Sequence, residues 1–502
     1  MLLDNYRFWL VNIKHHPMIK ESYKLKCYYL SIIYLILSKN FSLKGNAENL
    51  INIYLEKLKI KPKDYNEVSG LTWSKDKAEV ELRLKKLSKF HFEFGWLYIN
   101  LKNYKYLLIA DIIYFSLLFG CFEKNKEFIY SIKEKLKIKN EDYSNILEFL
   151  KKLYSRDLLA ARKFFEEKLS KGKFSLLNYF HNKVEKSLKE RNKEEYKVLI
   201  SSTMNAGKST LINSLLGKEL LPAKNSSCTS KHIKIVQNFN LDNFIGYSQN
   251  KEGQKTIKAV IDNQTVESWN EDENIDFIYL EGSIPLLDNL EKKIIFIDTP
   301  GSNSCTYKEH RQITEETIKN ENFDELIYIL DATQLATNDD QEFLNDLVKI
   351  CAEKEFNKNN IKFLVNKLDK LDLEAGECIE VILEEAKEFL MNSGINDPII
   401  IPTSAYVAKL FNSVLAGESL SKKEEMDFRF LHSIFNSKDY NLSNYLMKQM
   451  PGEVFFDIER VENKTIRVGK EEFKSKSILK ALSNTGIQEL LMTLNISGRN
   501  KQ

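Results

Sequence analysis

Glycine and proline are scarce in this chain, at 18 and 8 of 502 residues. So few breakers leave little room for disordered linkers, and the many Lys, Leu, Ile and Glu residues favour helix. Cysteine is scarcer still: Cys27, Cys121, Cys228, Cys305, Cys351 and Cys378. They show no CxxC spacing and no metal-ligand pattern, which argues against a zinc module. They read as reduced thiols of a cytosolic protein. Long apolar runs are missing too. The longest, Tyr106 to Phe122, has 17 residues and contains Asp111. A spanning helix needs about 20 apolar residues, so a buried helix is expected there. The start, MLLDNYRFWLVNIKHH, lacks the charged end, apolar run and small-residue cleavage site of a signal peptide.

What is present is an ordinary globular composition, 43% hydrophobic and 29% charged. The length allows roughly two to four domains. Charge is unevenly spread. Residues 1–193 carry 38 Lys and Arg against 22 Asp and Glu, a balance of +16; the remainder carries 36 against 49, or −13. Such asymmetry implies either an acidic partner for the first part, anionic lipid or nucleic acid, or docking of the basic part on the acidic part of the same molecule.

An internal repeat occupies the first 160 residues. Glu56 to Val68 reads EKLKIKPKDYNEV and Glu134 to Ile146 reads EKLKIKNEDYSNI, eight identities in thirteen at an offset of 78. An apolar helical run precedes each copy, Cys27–Leu37 and Leu107–Phe119. One all-α unit used twice is expected, over residues 1–90 and 91–157. Residues 158–193 read as an amphipathic linker helix, with Phe164, Phe165, Leu169, Phe174, Leu177 and Phe180 along it. From Tyr196 the pattern changes to short apolar runs, each followed by a turn and a helical stretch. They are Val198–Ile200, Ile233–Val236, Phe277–Leu280, Ile294–Ile297, Leu326–Leu330, Phe363–Val365 and Ile399–Ile401. This alternation predicts an α/β core over 194–405, with a mostly parallel sheet flanked by helices. A mainly helical insertion is expected at 406–482, and a closing helix and tail at 483–502.

Ligands of such sheets bind at the C-terminal ends of the strands, where the motifs fall. Val198 to Asn213 reads VLISSTMNAGKSTLIN. It fits the phosphate-binding pattern GxxxxGKS, except that Ser202 stands at the first glycine. Asn205, Ala206, Gly207, Lys208, Ser209 and Thr210 are the expected phosphate contacts, with backbone N–H groups and a helix N-terminus toward the β-phosphate. Lys208 should bridge the β- and γ-phosphates and Ser209 should ligate Mg²⁺. Thr229, in SSCTS, lies 21 residues after Lys208. A threonine there completes the Mg²⁺ shell and senses the γ-phosphate, with Ser230 as its rival. Ile294 to Gly301 reads IIFIDTPG. Its strand delivers Asp298 to the metal shell, and Gly301, without a Cβ, can offer its N–H to the γ-phosphate. Phe363 to Asp369 reads FLVNKLD. Asp369 is an acceptor-only carboxylate that can take both N1–H and the exocyclic amine of guanine; adenine lacks that donor pair, so GTP is chosen over ATP. Asn366 should brace the phosphate loop and Lys367 should stack along the base. Ser404 and Ala405, in PTSA, match the position whose backbone N–H meets guanine O6.

These five elements imply a P-loop GTPase domain that uses GTP and Mg²⁺, with Lys208, Thr229 and Gly301 in the catalytic roles. Water positioning is less defined. Ser302 follows DTPG, where Ras-type proteins use a water-orienting Gln, and the phosphate loop offers no arginine finger. Thr229 and groups ordered on association are left for the task. His310 and Arg311 are either candidates for it or surface residues of that segment.

NAGKSTLINSLLG, the threonine in SSCTS, DTPG followed by EHRQIT, and ILDATQLATNDDQEFL before NKLD resemble bacterial dynamin-like GTPases over about residues 194–410. The segment TQLATNDD, Thr333 to Asp340, is most similar to the branch that includes a sliding-clamp-binding protein. The two N-terminal units resemble the small helical domains of the TerB-like group. The dynamin-like resemblance implies slow GTP hydrolysis stimulated by self-association of the GTPase domains, in a cytoplasmic protein that acts peripherally at an anionic membrane. Such proteins continue into a helical stalk. Here the chain stops after the closing helix, so a stalk-bearing partner protein or a shortened relative is expected. Two rival readings stand beside this one. The first is a nucleotide-dependent interaction module whose basic N-terminal region binds a protein, nucleic acid or lipid with little hydrolysis. The second, a ribosome-associated G protein, is disfavoured by the helical preface and by TQLATNDD.

Overall fold

The computed structural model describes the chain apart from residues 1, 12, 24, 28, 31–32, 34–45, 61–97, 204, 223–230, 288–291, 300–315, 355, 438–439, 447–461 and 495–502. Two compact units are present. One comprises Met1–Asn192, Asn240–Gly246 and Ile257–Val260; the other comprises Lys193–Phe239, Tyr247–Thr256 and Ile261–Gln502.

The first unit is helical. Its helices are α1 (Leu2–Leu10), α2 (Asn46–Lys57), α3 (Tyr98–Leu118), α4 (Phe122–Lys135), α5 (Asn140–Tyr154), α6 (Leu158–Lys168) and α7 (Asn178–Arg191). The apolar run of the sequence forms most of α3, with Leu107, Leu108, Ile109, Ile112 and Ile113 fully buried. A helix apolar on all sides belongs in a core, and no described helix is long and apolar enough to cross a membrane. Asp111 is the buried charge among the described residues of α3, and buried polar groups need partners. Its Oδ2 accepts from Tyr29 Oη at 2.5 Å, His16 Nε2 at 3.0 Å and Tyr54 Oη at 3.3 Å. His16 Nδ1 accepts from the Met18 N–H, which leaves Nε2 as the donor toward Asp111. Trp9 stacks on Tyr54 and meets the edge of Phe115.

The described parts of the two repeat copies end their helices in the same way. Lys59 and Lys137 take left-handed φ values of 57° and 50°. Ile60 N–H bonds Leu55 O and Lys59 N–H bonds Glu56 O; Ile138 N–H bonds Lys133 O and Lys137 N–H bonds Glu134 O. This pair of bonds is the Schellman helix stop, and the following isoleucine is buried in both copies. The rest of the first copy, from residue 61, and most of the run Cys27–Leu37 lie outside the described residues. Residues 158–193, expected as one linker helix, are two. Gly172, at φ +68°, opens the 3-10 turn Gly172–Leu177 between α6 and α7, and Phe165 and Phe180 are buried in the helical core.

The second unit holds helices α8 (Lys208–Leu216), α9 (Asn263–Glu271), α10 (Asn338–Glu353), α11 (Ile379–Asn392), α12 (Ala405–Ala416), α13 (Lys422–Phe435), α14 (Ser475–Ser483) and α15 (Ile487–Thr493). Its strands belong to a nine-stranded sheet: β1 (Glu195–Ser202), β2 (His232–Gln237), β3 (Ile245–Asn250), β4 (Lys255–Lys258), β5 (Ile275–Gly282), β6 (Lys293–Asp298), β7 (Glu325–Asp331), β8 (Ile361–Asn366) and β9 (Ile399–Pro402). The order is β4-β3-β5-β2-β6-β1-β7-β8-β9. Pairing is parallel from β6 through β9 and between β2 and β5, while β2 and β6 are antiparallel. This is the mostly parallel α/β core that the sequence predicts, and each of the seven apolar runs is a strand. Among the described residues of 406–482, most of α12, α13 and α14 and the 3-10 turn Leu442–Tyr445 stand beside a hairpin, β10 (Thr465–Val468) and β11 (Glu471–Lys474). Gly486, φ +82°, precedes the closing helix α15 at its N-cap, where a Cβ would lie 1.9 Å from the Pro402 carbonyl oxygen. Cys27, Cys121, Cys351 and Cys378 are free thiols; Cys228 and Cys305 lie outside the described residues.

Candidate nucleotide-binding site

Strand β1 lies between β6 and β7, with Val198, Leu199 and Ile200 fully buried. Its end opens the phosphate loop. The Ser202 side chain is accommodated by turning onto the loop's own backbone, where Oγ donates to the Thr203 carbonyl at 2.8 Å. Positive φ values at Asn205 (62°) and Gly207 (102°) then curl the chain. Gly207 is required by contact as well as by φ, because a Cβ there would lie 2.4 Å from Asn366 Nδ2. No side chain caps α8 at Gly207. Its first turn, Lys208, Ser209 and Thr210, carries the positive end of the helix dipole that suits an anion.

Asp298 ends β6, opposite Ile200 of β1 and Ile233 of β2. Its carboxylate is fully buried, with Lys208 Nζ 3.3 Å away. A carboxylate so deep needs a positive neighbour, because burial without one is strongly unfavourable. Thr299 follows and donates to the Ile200 carbonyl at 3.3 Å, tying the two strand ends together. The carboxylate of Asp298 and the hydroxyl of Ser209 are hard oxygen donors of the kind that suits Mg²⁺.

Asn366 joins the phosphate loop to the base side of the site. Its Nδ2 donates to the Ala206 carbonyl at 2.8 Å, and its Oδ1 accepts from the Ala405 N–H at 2.9 Å. Asp369 Oδ1 accepts from Ser404 Oγ. Lys367 has φ +69°, and its Nζ pairs with Asp331 Oδ2 at 2.6 Å. Asp331 closes β7 and also accepts from the Thr333 N–H and hydroxyl. Sequence reasoning missed Asp331; its signal is an aspartate at the end of an apolar strand one position along the sheet from NKLD. Ser404 and Ala405 present their N–H groups differently from the expectation. Ser404 N–H donates to the Thr485 carbonyl and Ala405 N–H to Asn366, each at 2.9 Å. In this conformation neither is open to guanine O6, and recognition through either needs exchange of that bond. Tyr406, beside them, donates to Asp427 at 2.6 Å, and burial with this bond raises its phenol pKa. Thr229, Ser230, Gly301, Ser302, His310 and Arg311 lie outside the described residues.

Phosphate loop, buried aspartate and base-recognition loop thus meet at one end of the sheet. Residues 198–367 match the model of the dynamin family. The chain carries a dynamin-like GTPase domain. An uncharacterized protein in the xynA 3′ region of Caldicellulosiruptor sp. (strain Rt8B.4) is 26% identical over 254 residues, 50% of this chain and 58% of that protein. The probable chloroplastic transmembrane GTPase FZO-like of Arabidopsis thaliana is 26% identical over 275 residues, 54% of this chain and 26% of its own. Dynamin-like protein 1 of Campylobacter jejuni is 23% identical over 297 residues, 51% of this chain and 39% of its own. The chain therefore spans less than two thirds of the length of these relatives. The GTPase domain is what the family match covers.

Proposed function

We propose that the protein is a Mg²⁺-dependent GTPase of low intrinsic turnover, stimulated by association of its GTPase domains, and that it works peripherally at an anionic membrane surface from the cytoplasmic side. The observation that carries the nucleotide reading is Asn366, whose bonds to Ala206 and Ala405 link a phosphate loop to a base loop. In this reading the N–H groups of residues 205–210 and Lys208 hold the phosphates. Asp369 takes N1–H and the exocyclic amine of guanine, and Lys367, steadied by Asp331, lies along the base. Lys208 exchanges Asp298 for phosphate oxygens when nucleotide binds. Ser209, Thr229 and Asp298 would hold Mg²⁺, which when bound neutralises charge on the β- and γ-oxygens. Thr229 and Gly301 act on the γ-phosphate side.

Low turnover follows from Ser302 at the place of a water-orienting Gln, so the attacking water is positioned by groups ordered on association. The +16 balance of residues 1–193 supports an anionic surface as partner. The proposal includes a stalk-bearing partner protein, a TerB-like character for the helical unit, and kinship with the sliding-clamp-binding branch, for which TQLATNDD is the support. A second reading, an interaction module that binds a protein, nucleic acid or lipid with little hydrolysis, is favoured by the same Ser302. GTP turnover per molecule across a protein concentration series, with and without anionic liposomes, separates the two. The first reading expects the specific rate to climb with concentration and again with liposomes. A flat, near-zero rate in both series would leave the second.

A further inference from the structure

The helical unit contains a cavity of about 810 Å³ between residues 14–21, Tyr104 and the face of α7. Lys14, His15, Lys20, Lys183, Lys186 and Lys189 all line it. Glu21 and Glu185 line it too, but each is committed elsewhere: Glu21 accepts from the Tyr104 hydroxyl at 2.6 Å, and Glu185 pairs with Arg162 at 3.0 Å. Asp242 pairs with Lys14 at 3.5 Å, and its charge is also felt by His15 and Tyr179. Cations of one sign in a concave wall focus a positive potential. The lysines feel one another: burial, then Lys14 and Lys189, lower the pKa of Lys186, and burial, then Lys186 and Lys14, lower that of His15.

Two deeper groups point to a ligand. Lys183 is 2% exposed and, among the described residues, has no carboxylate in reach. Its Nζ donates to the Trp9 carbonyl and sits over the Tyr179 ring at 4.5 Å. Burial, opposed by Asp111, lowers its pKa to about 7. Tyr179 is 8% exposed, and among the described residues its buried hydroxyl has no hydrogen-bond partner. Buried hydroxyls left unpaired are rare, and each calls for an explanation. A phosphate oxygen supplies both an acceptor for the Tyr179 hydroxyl and a counter-charge for Lys183.

We propose that this cavity binds a small anion bearing two or more phosphate groups. The volume is in the range of ligand pockets, large for a single phosphate. Such a group has two sources, a soluble polyphosphorylated compound or the headgroup of a phosphoinositide. The proposal stands apart from the nucleotide site and does not rest on the GTPase reading.

The test uses the full chain with excess GDP and Mg²⁺ present, so that the phosphate loop is filled. Inositol hexakisphosphate, titrated by calorimetry, should bind saturably and raise the melting temperature. The rim pair Lys186→Glu with Lys189→Glu should weaken it about tenfold or more, the charge-reversal effect expected of phosphate contacts. Tyr179→Phe, which keeps the ring and removes only the hydroxyl, should weaken it several-fold while leaving the unliganded melting temperature in place. No binding by the wild type, or equal binding by wild type and both variants, overturns the proposal. Vesicles of phosphatidylcholine with phosphatidylinositol 4,5-bisphosphate, against vesicles matched in charge with phosphatidylserine, identify the source. Capture by the first alone, reversed by inositol hexakisphosphate, assigns the headgroup. Binding of the soluble probe without vesicle capture assigns a soluble ligand. Equal capture by both, without competition, assigns the charge to a diffuse surface and overturns the cavity.

Discussion

Lys208 and Lys183 are lysines with little exposed surface, 8% and 2%, buried in opposite surroundings. Lys208, in the nucleotide unit, faces the carboxylate of Asp298 at the start of a helix whose N–H groups are uncapped. Its charge is matched, and the backbone around it is arranged for an anion. Lys183, in the helical unit, meets a peptide carbonyl and the faces of Phe8, Trp9 and Tyr179. The nearest buried carboxylate, Asp111, is taken up by His16, Tyr29 and Tyr54. The contrast separates two ways of holding a buried cation. In one the protein supplies the counter-charge in advance; in the other the counter-charge is left to a ligand or to loss of the proton.

The comparison breaks most readily at Lys208. Lys208→Ala removes the charged donor to the phosphates, and GTP affinity should fall by roughly a hundredfold or more if two charge-assisted hydrogen bonds are lost. Titration with a fluorescent GTP analogue reads this directly, and wild-type affinity would remove the phosphate-loop assignment. Asp369→Asn comes next. It replaces one carboxylate oxygen by a donor that matches the C2 carbonyl of xanthine, so preference should move from GTP toward XTP by about tenfold or more. Unchanged affinities for both would show that Asp369 does not read the base.

The smallest effect is expected in the helical unit. Lys183→Met removes a buried cation that no carboxylate pairs, and should be neutral or stabilising by about 1–2 kcal/mol below pH 7. The sign follows from linkage. In the folded chain the lysine's pKa is lowered to about 7 from the ordinary 10.5. Between those values the unfolded chain keeps a proton that the native chain gives up, so wild-type stability gains as pH rises through the window. The melting-temperature gap between variant and wild type should therefore be widest near pH 6 and narrow toward pH 10. A constant gap would mean that the ammonium is compensated where it sits, and would erase the contrast with Lys208.

The chemical half of the nucleotide site was legible because its motifs are local strings at strand ends. VLISS, IIFID and FLVN are apolar enough to be strands on composition alone, and the polar residues that follow fall at one edge. What escaped was whatever depends on pairing at a distance. The Lys367–Asp331 bond joins residues 36 apart, and no spacing rule ties them. Strands β3 and β4, IGYSQN and KTIK, are too polar to stand out from loop. The break at Gly172 was hidden because hydrophobic residues continue on both sides of it at nearly helical spacing. The basic cavity was visible only as a charge balance; that its lysines share one wall with an unpaired tyrosine depends on how α7 packs against residues 14–21.

Lys59 and Lys137 share one left-handed backbone conformation. Each sits in a backbone conformation that glycine adopts at less cost, by roughly 1 kcal/mol, yet the chain turns there twice with the same five letters, EKLKI, and the same two hydrogen bonds. The residues that flank the shared EKLKIK differ, Leu55 and Pro62 in one copy against Lys133 and Asn140 in the other, so the bend is written within that stretch and the helix behind it. Such a stop is portable: moved onto another amphipathic helix with an apolar surface beside it, it should end that helix at the same residue and turn the chain in the same direction.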